Sequence, residues 1–433
     1  MSLRRNGLLL VLATVLIGVI GDWSSDPVLR GWWSAPAALL LMGLAYESWV
    51  LSRAGLGFAL EAPAKVYLGR SEAVCMRLSH RLQRRLRLEL LAAAPRYVEI
   101  DTAILHASID AGATCAVSRR ITGARLGAFP WPPLAVRVAG PLGLAWWSKL
   151  LPCAQSLKVV PDLLRSEDEV RSVGASGSAP ALAQAGGGAE VLRLREYREG
   201  DPPRLIDWKA TARARRLISR DFSQERGLNI VLVVDAGRAG EVRAGALDRF
   251  GHYVNVASRL AQFAASREDL VGLVVYADRP LAALAPARGV AAVTRLRAVL
   301  AASRIERTES NPVYAVARVK SLVRHRSLVV VLTDFDDASA HSQLAQAVRF
   351  LLPKHLPFVA GLSSPAAERL GVTAGADWLD PYRSLAAQEY CVGLERKVRS
   401  LNAMGAPAVA ARPEALEQAV FSAYERFVRQ RRA

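Results

Sequence analysis

From Leu228 onward, apolar runs of strand length alternate with segments of helical spacing, and that alternation restricts the fold of this chain more than any other feature. LNIVLVVDAG (Leu228–Gly237), LVGLVVYAD (Leu270–Asp278), SLVVVLTDFDD (Ser327–Asp337) and PFVAGLS (Pro357–Ser363) are apolar almost throughout. A strand with one wet face alternates apolar and polar residues, so these runs predict strands covered on both faces. Between and after them lie LDRFGHYVNVASRLAQFAAS, VAAVTRLRAVLAAS, PVYAVARVKSLVRH, SQLAQAVRFLLPKH and PYRSLAAQEYCVGLERKVRSL, then the short strand PAVAA and a closing helix over Glu414–Arg429. The order predicts an α/β domain over 228–433, a mostly parallel sheet with helices on both faces. Ligands of such sheets collect at the carboxyl ends of the strands. Asp235, Thr333 and Asp334 stand there.

The other end of the chain is built for a different solvent. Two arginines precede an apolar run from Gly7 to Gly21, and a second run extends from Gly31 to Leu51. The second can cross a hydrocarbon core about 30 Å thick, and the first does so with its flanks. Residues 1–55 therefore predict a transmembrane helical hairpin. A cleaved signal peptide is the alternative, since Val19 and Gly21 are small enough to precede a cut. Both readings put everything after Arg53 in the cytoplasm, in keeping with the paired arginines and the basic body that follows.

Between these ends, residues 56–165 hold short apolar stretches broken by Gly and Pro, several with period two, which predict a small β-sandwich-like domain. Residues 166–190 include GASGSAPALAQAGGG, a composition suited to a flexible linker. Cys75, Cys115, Cys153 and Cys391 lie far apart and form no metal-ligand pattern. Lys and Arg number 57 against 39 Asp and Glu, a formal net charge of +18. That balance suits an anionic membrane face, an acidic protein or nucleic acid. The arginines are spread over all regions without a reader motif, so no nucleic-acid partner is expected.

Residues 191–227 concentrate charge. Between Val191 and Arg226 stand ten basic and six acidic residues around Trp208 and the pair Pro202-Pro203. Asp201 is placed to cap a helix with Pro202 at its first position. Leu205, Trp208 and Ala212 then share one helical face, which predicts a Trp buried against the sheet. Arg204, Asp207 and Lys209 lie opposite, and Arg213, Arg215 and Arg216 follow. Exposed ion pairs contribute on the order of 0 to 1 kcal/mol each. Charge this dense is explained either as a clasp anchored by Trp208 or as a recognition surface for an acidic protein face, with Arg195, Tyr197, Gly200, Asp201, Arg204, Asp207, Trp208, Lys209, Arg213 and Arg238 as its candidate residues.

The phrase LREYREGDPPRLIDWKATARARRLISRDF, followed by a strand ending in Asp235, resembles the signature of bacterial membrane proteins of unknown function whose genes accompany a MoxR-type AAA+ ATPase. The phrase GPLGL at Gly140–Leu144 and two N-terminal apolar segments fit the same resemblance. It implies a von Willebrand factor A-like α/β domain and a two-pass protein of the bacterial inner membrane. It also implies a non-enzymatic adaptor that engages the ATPase during assembly or maturation of envelope or cofactor-containing complexes, with the bilayer and other membrane or envelope proteins as further partners. In A domains an Asp, two hydroxyls of a DxSxS loop, a Thr and a second Asp hold a divalent cation. Here the loop reads Asp235-Ala236-Gly237-Arg238-Ala239, with both serines replaced. Asp235, Asp334 and Thr308 remain as a degenerate Mg²⁺ site, no other cofactor is implied, and Arg238 is expected to neutralise the carboxylates in place of metal. The alternatives are a metal-dependent hydrolase using Asp235, Asp334, Asp336 and Asp337, or a structural protein without an ATPase partner.

Overall fold

The computed structural model describes residues 1–23, 30–91, 93–101, 104–164, 169, 191–198, 201–222, 227–335, 338–372 and 377–432. It is a mixed α/β structure with several sheets that divides into two compact units, Met1–Val160 and Pro161–Ala433. The linker expected over 166–190 lies outside the described residues apart from Glu169.

The first unit begins with β1 (Ser2–Leu3), followed by α1 (Arg5–Trp23) and α2 (Ser34–Ser52). Each helix has 19 residues and is long and apolar enough to cross a membrane. They pack on each other and leave most of their surface unburied. Eleven strands follow: β2 (Gly57–Glu61), β3 (Lys65–Tyr67), β4 (Ser71–Ser79), β5 (Leu86–Leu91), β6 (Val98–Ile100), β7 (Ile104–Ile109), β8 (Thr114–Gly123), β9 (Gly127–Pro130), β10 (Leu134–Ala139), β11 (Ala145–Leu151) and β12 (Ser156–Val160). They form an antiparallel sheet in the order β1-β11-β10-β5-β7, a second antiparallel sheet β2-β4-β8-β6, and a small mixed sheet β3-β12-β9. Alternation decides which faces are dry: Val74, Met76 and Leu78 of β4, Leu86, Leu88 and Leu90 of β5, and Val136 and Val138 of β10 are buried while the residues between them are partly or fully exposed.

A single carboxylate joins the helices to the sheets. Glu47, near the end of α2, is fully buried. Its Oε1 accepts the backbone N–H groups of Leu142 and Leu144, both at 3.0 Å, and its Oε2 accepts Ala145 N–H at 3.2 Å and the Trp147 indole N–H at 3.1 Å. The turn Gly140–Leu144 thus wraps a negative charge with oriented dipoles, as backbone nests do. Glycine is required on both sides of this contact. A β-carbon at Gly140 would fall on the Glu47 carboxyl group, and one at Gly7 would meet the Leu144 carbonyl. Arg4 N–H donates to that carbonyl at 2.8 Å, and Lys149 Nζ donates to the Leu51 carbonyl at 2.7 Å.

The second unit starts by clamping Pro161–Leu164 to a helix through Asn255, Ser258 and Gln262. Its charged segment forms a hairpin of β13 (Val191–Glu196) and β14 (Ile218–Phe222), with α3 (Trp208–Ala214) between them. The main body runs β15 (Asn229–Asp235), the two-residue strands β16 (Arg243–Ala244) and β17 (Leu247–Asp248), α4 (Arg249–Ser266), β18 (Leu270–Tyr276), β19 (Pro280–Ala287), α5 (Gly289–Ala302), α6 (Pro312–Leu322), β20 (Leu328–Leu332), α7 (Ala338–Leu351), β21 (Leu356–Leu362), α8 (Pro365–Leu370), α9 (Asp380–Ala403), β22 (Ala408–Ala411) and α10 (Pro413–Arg432). Six strands lie in the order β19-β18-β15-β20-β21-β22, all parallel except β19. Val231, Val233, Val274, Val329, Val331 and Val359 face α6, α7 and α9, while α4, α5 and α10 pack on the other side. Burial on both faces is why these strands are apolar throughout.

The edge strand β19 is absent from the expectations above. Its sequence, PLAALAPA, carries two prolines and no β-branched residue. An edge position tolerates both, because one side needs no ladder donors.

The Glu47 clasp makes a direct prediction. Glu47→Ala leaves four N–H donors without their acceptor and should cost about 3 kcal/mol. Gly140→Ala should cost roughly 2 kcal/mol through overlap with the carboxyl group. Urea unfolding of the full chain in non-ionic detergent measures both, and unchanged midpoints would contradict the clasp.

Candidate functional site

The carboxyl ends of β18, β15 and β20 bring one acidic side chain between two hydroxyl-bearing neighbours. Asp235 ends the central β15, Tyr276 ends β18 opposite it in the register, and Thr333 follows β20 on the other side. Asp235 is 5% exposed. Its Oδ2 accepts the Thr333 hydroxyl at 2.6 Å and the Tyr276 hydroxyl at 3.3 Å. Its Oδ1 accepts Gly237 N–H at 2.9 Å and the Ser310 hydroxyl. Burial pushes the Asp235 carboxyl up from the usual carboxylate range, while Ser310, Thr333, Gly237 and Tyr276 pull it back through their hydrogen bonds. Burial and the Asp235 charge together raise the Tyr276 phenol well above its ordinary value.

Two expectations change here. With both loop serines replaced, Thr308 was the one hydroxyl expected beside Asp235, yet Asp235 has three others. The hydroxyl missing at position 237 comes from a different loop, since a β-carbon at Gly237 would land on Ser310 Oγ. Glycine at 237 is what lets Ser310 in. Thr308, by contrast, is exposed and meets the loop through its backbone carbonyl, which accepts Arg238 N–H at 2.9 Å. Ser310 lies two residues after Thr308, and nothing in the local sequence tells which of the two hydroxyls turns toward Asp235.

The second carboxylate is neutralised as expected, but by a different arginine. Arg238 pairs at 2.9 Å with Glu309, and both side chains are more than half exposed. The guanidinium that reaches Asp334 belongs to Arg249, the first residue of α4. Arg249 is 4% exposed and also donates to the Tyr390 hydroxyl at 3.4 Å. Arg249 reads in sequence as a solvated first-turn residue following its cap Asp248, so only the packing of α4 against the strand ends distinguishes it.

This donor set fits a self-contained proton and charge network better than a divalent cation. Mg²⁺ takes six oxygens and keeps several waters. Both oxygens of Asp235 already accept protein donors, Asp334 Oδ1 accepts Phe335 N–H at 2.7 Å, and a buried guanidinium stands at Oδ2. Among the described residues no three His, Cys, Asp or Glu side chains converge as a ligand set. Asp336 and Asp337, invoked for the hydrolase alternative, lie outside the described residues.

The charged segment has its own geometry. Arg195 grips Asp201 with both terminal nitrogens, at 2.7 and 2.9 Å, and Asp201 also accepts Arg198 N–H at 2.9 Å. The Arg195 hydrogen bonds, with the Arg198 amide, hold the Asp201 carboxyl down at about 2. Tyr197 donates its hydroxyl to the Asp201 carbonyl at 2.9 Å. Asp207, not Asp201, caps the helix: its Oδ1 accepts Ala210 N–H at 3.0 Å, and its Oδ2 pairs with Arg220 at 3.0 Å. Pro203–Leu205 make a 3₁₀ turn instead of the first helical turn. The two prolines and the bonds of Asp201 to the 195–198 strand end account for the later start.

Trp208 is the larger correction. It is 67% exposed rather than buried. As the first residue of a seven-residue helix at the hairpin's turn it meets no sheet face, and α3 has no buried residue. Lys209, Arg213, Arg215 and Arg216 are exposed too, with Arg216 bonded to Glu196 at 2.5 Å. Gly200 and the side chain of Arg204 lie outside the described residues.

Two predictions follow from these contacts. Arg249→Ala leaves Asp334 buried without its cation and should destabilise the chain by about 3 to 5 kcal/mol, whereas Mg²⁺ or a chelator should leave the unfolding midpoint of the parent unchanged. A midpoint that rises with Mg²⁺ would restore the metal reading. For Asp201, whose folded value is depressed, the hairpin's ion-pair stabilisation is present above the ordinary carboxylate range and is lost as pH falls through about 2. Hydrogen exchange at Arg198 N–H, compared between the parent and Asp201→Asn, should differ at pH 5 and converge near pH 2.

Among comparisons with known proteins, a family model covers this region. No curated protein matches the chain. Among solved structures it is similar to the conserved hypothetical protein BatB from Bacteroides thetaiotaomicron, at 15% identity over 32% of this chain and 69% of that one, with a TM-score of 0.28. It is also similar to WR4, an MSP family member of C. elegans, at 7% identity over 24% of this chain and 96% of that one, with a TM-score of 0.17. At those scores neither likeness bears on the fold. Residues 193–372 match the family model described as "Protein of unknown function DUF58", a span that takes in the charged hairpin and the Asp235 cluster. That stretch of the chain is therefore similar to the DUF58 family.

Proposed function

We propose that this protein is a non-enzymatic membrane adaptor, anchored by α1 and α2 in the bacterial inner membrane with its remaining domains in the cytoplasm. Its hairpin at 191–222 engages an acidic protein face, that of a MoxR-type AAA+ ATPase, in assembly or maturation of envelope or cofactor-containing complexes. In this reading the first unit's sheets are a β-sandwich-like domain and the six-stranded α/β body is von Willebrand factor A-like, with a closed adhesion site. Support comes from Asp235 at the end of the central strand and from the protein donors that occupy its carboxylate.

The observation that carries the partner reading is the exposure of Trp208 beside Arg213 and Arg215 on a hairpin already held by its own ion pairs. Trp and Arg are the residues that most often anchor protein interfaces. Their placement here adds nothing to a core, which disfavours the clasp. Arg215 also sits in the left-handed region, at φ 54° and ψ 25°, where glycine is the usual residue. That conformation costs an arginine roughly 1 kcal/mol. Tolerated strain at an exposed cation fits a side chain kept for contact.

Arg215 separates binding from folding. Arg215→Gly relieves the backbone and should raise the unfolding midpoint slightly, yet it should weaken recovery of the ATPase, as should Trp208→Ala. Affinity purification of the tagged full chain from detergent-solubilised membranes, at low and high salt, measures the partner. The expected result is an AAA+ ATPase recovered at low salt, reduced at high salt and reduced by either variant. Recovery of no AAA+ protein at low salt, or equal recovery with both variants, would reject the proposal.

A further inference from the structure

Within the first unit, a cavity of about 240 Å³ lies where the start of α1, the end of α2 and the Gly140–Gly143 turn come together. Arg4, Arg84, Arg85 and Arg87 line it, with Val50, Leu51 and Leu142 among its apolar residues, and no Asp or Glu does. At roughly 30 Å³ per water molecule, the volume is room for on the order of eight waters. Glu47 is close in the chain to this wall, but all of its contacts are turned to the N–H groups of Leu142, Leu144, Ala145 and Trp147. Arg85 is partly engaged, by Ser108 at 2.8 Å and Asp110 at 3.5 Å. Arg4, Arg84 and Arg87 have no carboxylate partner among the described residues, and Arg4 lies over the Trp146 ring at 4.9 Å.

We infer that this cavity binds the phosphate headgroup of an anionic phospholipid. Four guanidiniums around one concavity, three of them without a carboxylate partner among the described residues, create a field that favours an anion, and guanidinium matches phosphate oxygens in geometry as well as charge. The surroundings select a lipid over a free anion. The cavity stands at the common end of two helices apolar enough to span a bilayer. Trp49 at that end is half exposed with Arg53 stacked on its ring at 4.0 Å, and Leu142 and Leu150 are exposed nearby in chain order. Aromatic rings, snorkelling arginines and exposed leucines are what a headgroup boundary accommodates. Basic pockets at the ends of membrane helices recognise lipid phosphates in the same way.

The inference rests on the membrane reading of α1 and α2, and the experiment keeps the two apart. Alkaline carbonate extraction of membranes tests anchoring alone. The headgroup site is read from the thermal midpoint of the full chain in non-ionic detergent, titrated with phosphatidylglycerol, phosphatidylcholine or inorganic phosphate. Phosphatidylglycerol should raise the midpoint saturably, and the other two should not. In Arg84→Gln/Arg87→Gln, where both positions are exposed and the fold is spared, the apparent affinity should fall roughly 30-fold. Arg324→Gln/Arg326→Gln, an equal loss of charge at exposed positions of the second unit, should bind as the parent does. An equal response to phosphatidylcholine, a saturable response to inorganic phosphate, or an unchanged affinity in Arg84→Gln/Arg87→Gln would overturn the site. Release by carbonate with the phosphatidylglycerol response intact would overturn the anchoring and leave the site standing.

Discussion

A carboxylate taken out of water must be met by donors or by a cation, and that requirement organises both units of this protein. Glu47 is met by three backbone amides and an indole, Asp235 by three hydroxyls and an amide, and Asp334 by Arg249. Each solution ties elements that are distant in the chain. Glu47 binds a turn almost a hundred residues later, and Asp235 draws in side chains from β18, the residue just after β20 and the loop before α6. The glycines at 140 and 237 follow from the same requirement, because each leaves space for the groups that answer the charge.

Satisfaction of the strand-end carboxylates moves the functional interest elsewhere. In open α/β sheets the carboxyl edge is the usual ligand site, but here its two acids are occupied by the protein. What remains outward is the hairpin with Trp208, Arg213 and Arg215, and the arginine-lined cavity at the common end of the two long apolar helices. Both are electropositive, and both lie on elements fixed by internal ion pairs or nests. A rigid basic surface pays less ordering entropy on binding than a mobile one. The formal charge of +18 is thus better understood through these two places than as an average over the chain.

Much of this was legible from residue order. The apolar strands and amphipathic helices after Leu228, the two N-terminal helices and the period-two stretches between them appear where spacing places them. Asp235 and Asp334 are at neighbouring strand ends, as their positions after β15 and β20 require. The errors share a cause. Trp208 was expected inside because its helical face looked amphipathic, but a seven-residue helix at a hairpin turn has no neighbour to bury it. Arg238 was expected beside the carboxylates because it adjoins Asp235 in the chain, while the guanidinium that reaches Asp334 comes from a helix, as Arg249. The edge strand β19 was overlooked because its prolines are tolerated only at an edge.

Sequence alone determined the type of most elements, since hydrophobic period and turn residues act within a few residues of one another. It also placed Asp235 and Asp334 at strand ends, where a buried acid needs partners. Which partners answer was decided by tertiary structure, because Ser310 and Tyr276 reach Asp235, Arg249 reaches Asp334 and the 140–145 turn reaches Glu47 only after strands and helices have packed. Contacts between residues far apart in the chain leave no periodic trace, and the local chemistry of a serine or an arginine is the same wherever the fold carries it.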